Sequence, residues 1–400
     1  MTDAAVAAQQ ELGVLYGNPT PDAVTLVLCT LFDPAVNLPV LTVNGSGFTV
    51  PAAGSWSQIG TDAPSGHPFF GLQAGWVVSF LVDSLNGFPG TNPFSVTQAG
   101  TPAAAVAVTG NFVTQCPIDV NCAVFVTTCN NMWASKIGGW GASARIPQEP
   151  WASGMFTDIR AFAEDPGKLD VAACFWIDDI IYADKSWLND SAGSGHVLTD
   201  LLAPDGPQDT KLAYDYTLMW FNLLGMYEDI ATAWLYQGFE QHWGRNPDRL
   251  WCLHNLPTLP QRGDHEFYND FALGNGVTRA ANPAWYAAAM EPFDAIMKPC
   301  MGPSLQMASG AGGDPNSYHW GIRVGNCKFA SPDADYNGTG EAVTGTGGND
   351  SNTAITHIYD SATGSQIDDI LVGLDTTEPF HTLLFPTQVR SPNDLSLIHI

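Results

Sequence analysis

The sequence predicts a mixed α/β fold, with an N-terminal immunoglobulin- or fibronectin-like β-sandwich over residues 1–112 and a layered α/β domain over residues 113–394. Three observations carry this expectation. Residues 12–110 are rich in Val, Thr, Gly, Pro and Ser and carry short apolar runs separated by turn signals, the pattern of a sandwich. From about Gln115 the texture changes to apolar strands alternating with helical patterns, which favours a sheet with crossover helices. The length of 400 residues, 45% of them hydrophobic, is enough to bury two cores.

In chain order, Val24–Leu28 and Trp76–Val82 read as strands, with Asn44-Gly45 and Asn86-Gly87 as turn signals between apolar runs. Ala123–Thr128 reads as a buried strand that ends at Cys129-Asn130-Asn131. Met155–Ala163 reads as a helix, because Phe156, Ile159, Phe162 and Ala163 share one face and Asp165-Pro166-Gly167 stops it. Val171–Ile177 is a second buried strand, running straight into Asp178-Asp179. Thr210–Tyr236 is helical, and its stripe of Leu212, Tyr216, Met219, Trp220, Leu223 and Leu224 reads as core. Residues 331–352 read as a surface loop, 367–374 as an amphipathic helix, and Thr382–Phe385 as a strand.

Charge and composition narrow the function classes. With 14 Lys+Arg against 40 Asp+Glu, a net charge of −26 opposes a polyanionic partner, so no nucleic-acid surface is expected. An anionic small substrate would need a local reversal of the field, which bound metal cations supply best. No run approaches the ~20 apolar residues of a membrane span, and the first ten residues lack the basic and apolar regions of a signal peptide. Eight cysteines without a CxxC pair offer neither a zinc ribbon nor a thioredoxin motif, whereas Cys116 and Cys122 are near enough in sequence for a local disulfide.

Two constellations carry chemistry. In Asp178-Asp179-Ile180-Ile181-Tyr182-Ala183-Asp184 a strand delivers several carboxylates to one loop, which suits hard cations; a solvated acidic turn is the plain alternative. In Gly263-Asp264-His265-Glu266, followed by Asn269-Asp270, an aspartate ligand stands beside a histidine able to donate to a phosphoryl oxygen or protonate a leaving group. In an open α/β sheet such loops lie beyond the C-terminal ends of the strands, where Cys129 also falls.

Taken in order, these segments resemble the PhoD-like alkaline phosphatases, relatives of the purple acid phosphatases among the calcineurin-like metallophosphoesterases. Gly13-Val14-Leu15-Tyr16-Gly17-Asn18-Pro19-Thr20-Pro21-Asp22-Ala23-Val24 is similar to the start of that family's sandwich, and Thr128-Cys129-Asn130 to its Ser-Cys-Gln/Asn signature. Asp179-Ile180-Ile181-Tyr182 matches its Gly-Asp-x-x-Tyr loop from the Asp onward. Leu256-Pro257-Thr258 with Asp264-His265-Glu266 and Asn269-Asp270 resembles its Pro-Thr…Asp-Asp-His-Glu…Asn-Asp block. Tyr318–Asn326 resembles a later strand pair, and Gly364-Ser365-Gln366 with 367–374 a helix beyond it.

The resemblance implies a phosphoric ester hydrolase in which Cys129, Asp179 and Tyr182 hold ferric iron, Asp179 bridges, and Asp264 serves a second site suited to calcium. Asp178, Asp184 and Asn269 are further ligand candidates, and Asp264 and His265 the catalytic ones. The implied reaction is attack of a metal-bound hydroxide on a phosphate mono- or diester, the implied partner a small phosphate ester, and export is common among family members. Asp178 stands at the family's Gly and Gly263 where Asp is frequent. Pro260 removes a ladder donor, so its strand is expected to be irregular or at an edge.

The family's last ligand motif, Gly-Asp-x-His, does not occur. The final six residues, 395–400, resemble a translated sequencing adapter, so the expectation is a natural chain continuing past Asp394 and an α/β domain that here lacks its last strands. Two other functions fit the same sequence: a catalytically inactive homologue or viral or surface binding module, and a glycosidase using Asp178/Asp179 with Glu266. Adjacent carboxylates on one loop do not flank a sugar as glycosidase chemistry requires, so this reading ranks last.

Overall fold

The computed structural model describes residues 12–62, 75–98, 106–127, 151–177, 180–181, 213–226, 247–263, 266, 283–302, 320–331 and 380–383. It is a mixed α/β chain with four sheets and few helices among these residues.

The N-terminal part holds two antiparallel four-stranded sheets. The first orders β1 (Leu12–Gly17), β2 (Val24–Thr30), β6 (Gly75–Val82) and β5 (Ser57–Ile59); the second orders β4 (Ser46–Phe48), β3 (Val40–Val43), β7 (Pro93–Gln98) and β8 (Val106–Asn111). Inward residues of both sheets share one core that includes Val14, Tyr16, Leu26 and Val78 from the first and Leu41, Phe94, Val96 and Val108 from the second. The Asn44-Gly45 signal becomes the β3–β4 turn, with φ of 53° and 77° at its two residues, the backbone such a hairpin needs. The Tyr16 hydroxyl donates to Asn111 O (2.9 Å) and accepts from Val113 N (3.2 Å), tying β1 to the chain leaving β8.

β1 is buried at all six positions, and β2 at all but one. Alternation would leave half of a one-sided strand wet, so this sheet must be covered on both faces. Leu15, Val27, Cys29, Ile59 and Val77 belong instead to the core of the second part of the chain.

That second core surrounds a parallel sheet ordered β11 (Thr258–Gln261), β10 (Val171–Ile177), β9 (Ala123–Thr127). Successive side chains of β10 face opposite layers. Trp176 stacks on Phe156 of α1 (Trp151–Glu164), with centroids 5.3 Å apart. Phe175 meets Trp320 and Phe329, at 6.0 and 4.6 Å, in a fourth sheet of β12 (Trp320–Val324), β13 (Cys327–Ser331) and β14 (Phe380–Leu383). Pro260 is tolerated because β11 is an edge strand of the described sheet.

α2 (Ala213–Leu223) and α4 (Pro283–Ile296) pack together over the outer face of the first sheet, and α3 (Pro247–Asn255) leads into β11. Asp62, just after β5, accepts from Ala213 N (3.0 Å) and Tyr214 N (2.9 Å), placing a carboxylate at the N-terminus of α2. Tyr216, Trp220, Leu223 and Leu224 of the predicted stripe are buried. No described helix is long and apolar enough to cross a membrane.

Candidate functional site

β9, β10 and β11 run parallel, so their C-terminal ends emerge at one edge of the sheet. The register sets Thr127 beside Trp176 and Ile177 beside Gln261. Neighbouring strands lie roughly 5 Å apart, so the three ends occupy a strip about 10 Å wide. The Thr127 hydroxyl donates to Phe175 O at 3.3 Å, pinning β9 to the central strand at this edge.

Beyond the strands the described backbone is held by Glu266. Its side chain is 3% exposed, with Oε1 accepting from Ile181 N at 3.0 Å and Oε2 from Gly263 N at 2.6 Å. One carboxylate therefore fastens the turn after β10 to the turn after β11. Ile180 and Ile181, each 1% exposed, anchor the first turn in the core. Arg262 anchors the second, since its guanidinium donates to Tyr286 Oη (3.0 Å) and lies over the Tyr286 ring on α4.

Gln261, fully buried at the end of β11, finds no hydrogen-bond partner for either end of its amide among the described residues. A buried amide left unmatched costs about 1–3 kcal/mol.

Cys129, Asp178, Asp179, Tyr182, Asp184, Asp264, His265 and Asn269 lie outside the described residues. Their described neighbours Thr127, Ile177, Ile180, Ile181, Gly263 and Glu266 do come together through sheet pairing and the Glu266 bonds. Among the described residues no group of three or more His, Cys, Asp or Glu is arranged to hold a metal. Sequence reasoning missed Glu266 and Arg262 as the residues that hold the loops. A glutamate two residues after a candidate ligand, and an arginine just past the end of a strand in a chain with 14 basic residues, were the available signals.

No protein-family model matches the sequence, and no curated protein matches it. Among solved structures, the chain is similar to a purple acid phosphatase isolated from yellow lupin (Lupinus luteus) seeds, at 10% identity with a TM-score of 0.43. The match covers 80% of this chain and 44% of that one, so the chain spans less than half the length of that protein.

Proposed function

We propose that this chain is a metal-dependent phosphoesterase of PhoD-like type, in which residues 1–112 form a β-sandwich and 113–394 carry the catalytic edge. The observation that carries the reading is the convergence of three parallel strand ends, with Glu266 fastening two of the loops that leave them. The sequence places Cys129 two residues past Thr127, Asp179 two past Ile177, and Asp264 three past Gln261. A residue spans at most about 3.5 Å of chain, so a thiol and two carboxylates are tethered close to one short edge.

The donor set fits the metals. Thiolate from Cys129 and phenolate from Tyr182 suit ferric iron, while the carboxylates of Asp179 and Asp264 suit a bridge and a calcium position, with Asp178, Asp184 and Asn269 as further oxygen donors. When bound, such metals lower the pKa of a coordinated water and clamp phosphoryl oxygens. The chain's own contribution is orientation and proton handling: His265 donates to the phosphoryl oxygen or the leaving group, and Glu266 fixes the backbone that presents it. The substrate is a small mono- or diester, because the acidic surface repels long polyanions.

Purified protein supplied with ferric iron and calcium is expected to hydrolyse p-nitrophenyl phosphate or its bis ester. Asp179→Ala should reduce this to background, and Tyr182→Phe should remove a visible tyrosinate–iron band. A colourless protein without hydrolysis, after metal supplementation, would overturn the reading in favour of an inactive or binding module.

A further inference from the structure

Three cysteines gather where the chain leaving the N-terminal sheets meets the β12–β13 hairpin. Cys116 and Cys122 bracket the loop before β9, which folds back through Val120 N to Pro117 O at 3.2 Å. The loop then meets the hairpin turn, where Gly325 N donates to Cys116 O at 3.1 Å and Gln115 Nε2 donates to Arg323 O at 2.9 Å. Gly325 has φ of +58°, and the position a Cβ would take there lies 3.3 Å from Cys122 Sγ and 3.7 Å from Cys116 Sγ. Both sulfurs therefore crowd one point, and the Cys116 thiol donates to Val120 O at 3.4 Å. Cys327, first residue of β13, lies near enough for its charge to act on Cys122.

Other cysteines neighbour each other too, but Cys29 with Cys300 and Cys174 with Cys252 are sealed in the core, none more than 1% exposed. Cys122 and Cys327 are half-buried, and Cys116 is buried. Among the described cysteines, Cys116 and Cys122 combine sulfurs gathered on one point with a half-buried member, Cys122, that a small oxidant can reach.

We propose that Cys116 and Cys122 form an intramolecular disulfide on reaction with a small-molecule disulfide, leaving Cys327 beside it in its reduced form. The Cys122 thiolate attacks the oxidant, forming a mixed disulfide and expelling one thiolate. The Cys116 thiolate then attacks the Cys122 sulfur and expels the second. Two protein thiols and one disulfide give one protein disulfide and two small thiols, with the two protons passing to the leaving thiolates. Burial raises both protein thiols, Cys116 to about 12, so the exchange is slow at neutral pH and quickens as pH rises. The linkage closes the loop that joins β8 to β9 against the hairpin, and it stands independently of the phosphoesterase reading.

The test equilibrates the folded protein with oxidised glutathione, blocks it with iodoacetamide and digests it without reductant. The peptide carrying both Cys116 and Cys122 should be lighter by two hydrogens and unalkylated, taking two alkyl groups only after dithiothreitol. Cys327 should be alkylated throughout, and Cys327→Ser should leave the result unchanged. In Cys116→Ser, Cys122 should be trapped as its glutathione mixed disulfide. Alkylation of Cys116 and Cys122 after equilibration, stable glutathionylation of the unsubstituted protein, or a peptide linking either to Cys327 would overturn the proposal.

Discussion

Replacing Glu266 with alanine tests whether one buried carboxylate holds the candidate edge together. In the folded chain it accepts two backbone N–H groups, from Ile181 and Gly263, at 3.0 and 2.6 Å. With Glu266 3% exposed, water does not readily take its place. A hydrogen bond to a charged group contributes about 1.5–3 kcal/mol, and an orphaned buried donor costs about 1–3 kcal/mol. Two such losses, partly relieved by relaxation, put Glu266→Ala about 2–5 kcal/mol below the parent, a large share of the ~5–15 kcal/mol that holds a domain folded.

Glu266→Gln keeps the shape and one carbonyl acceptor but turns an amide N–H toward the other backbone donor. It should cost about half as much, near 1–3 kcal/mol. Urea denaturation read from midpoint and slope measures both. Phosphoester turnover of the folded variants should fall with the loosening of the loops, since misplacing reacting groups by about 1 Å can cost ~100-fold. A catalytic carboxylate of the glycosidase kind would behave oppositely, with the glutamine variant inert yet fully stable. An alanine variant within about 0.5 kcal/mol of the parent, the range of an ordinary surface change, would refute the clamp.

Gly17→Ala should separate the N-terminal sheets from β11. The added Cβ would fall 2.2 Å from Thr258 O and 2.5 Å from Cys300 O, backbone atoms that cannot swing aside, so a loss of at least the ~1–3 kcal/mol of an overpacked core is expected by urea denaturation. His254, buried on α3 and next to the Arg249 guanidinium, has its pKa lowered from 6.5 to about 4, chiefly by burial. The unfolded chain then binds the extra proton first, so this group's stabilisation is complete above about pH 6.5 and is lost as pH falls toward about 4, amounting to roughly 3 kcal/mol. The parent's urea midpoint should therefore fall more steeply across that window than that of His254→Gln, and parallel profiles would remove His254 as the cause.

Much of the fold was legible because particular segments carried one unmixed signal. Val171–Ile177 is an uninterrupted apolar run and becomes β10, buried at every position. Asn44-Gly45 reads as a turn and makes the one between β3 and β4. Phe156 and Ile159 predict the buried face of α1, though the helix begins four residues earlier, at Trp151. α3 and α4 escaped notice for opposite reasons. α3 buries Arg249 and His254, inverting the polar-outside pattern that helix reading depends on, and α4 carries Pro292 in its interior after an almost unbroken apolar run. The double-sided burial of β1 was present in Leu12–Gly17, whose apolar residues do not alternate with polar ones as a half-buried strand would. At the candidate site the candidate ligands and their order along the chain are a reading of sequence alone, since those residues lie outside the described ones. The clamp could not be read from sequence, because both Glu266 bonds run to backbone N–H groups, which no side-chain pattern announces.

β11 shows why the N-terminal sheets matter to that site. An edge strand of four residues interrupted by Pro260 has one hydrogen-bonded neighbour in the described sheet and gives up one donor of its own. Its position must be fixed from outside the sheet. At its start, Gly17 lets β1 approach Thr258 and the 3-10 turn Lys298–Cys300 closely, and Asn18 N donates to Cys300 O at 3.0 Å. α3, just before the strand, is held by β8, where only a glycine at 110 leaves room for His254 O. At its end, Arg262 is anchored to Tyr286 and Gly263 to Glu266. The strand that leads to Asp264 and His265 is thus braced at one end by the N-terminal sheets and at the other by α4 and the clamp. Gly13 and Gly17 of β1 both sit at close approaches, Gly13 against the Met226 side chain just past α2 and Gly17 against the backbone oxygens of Thr258 and Cys300. A perturbation far from any candidate ligand, on β1, therefore reaches the candidate edge through contacts between main chains.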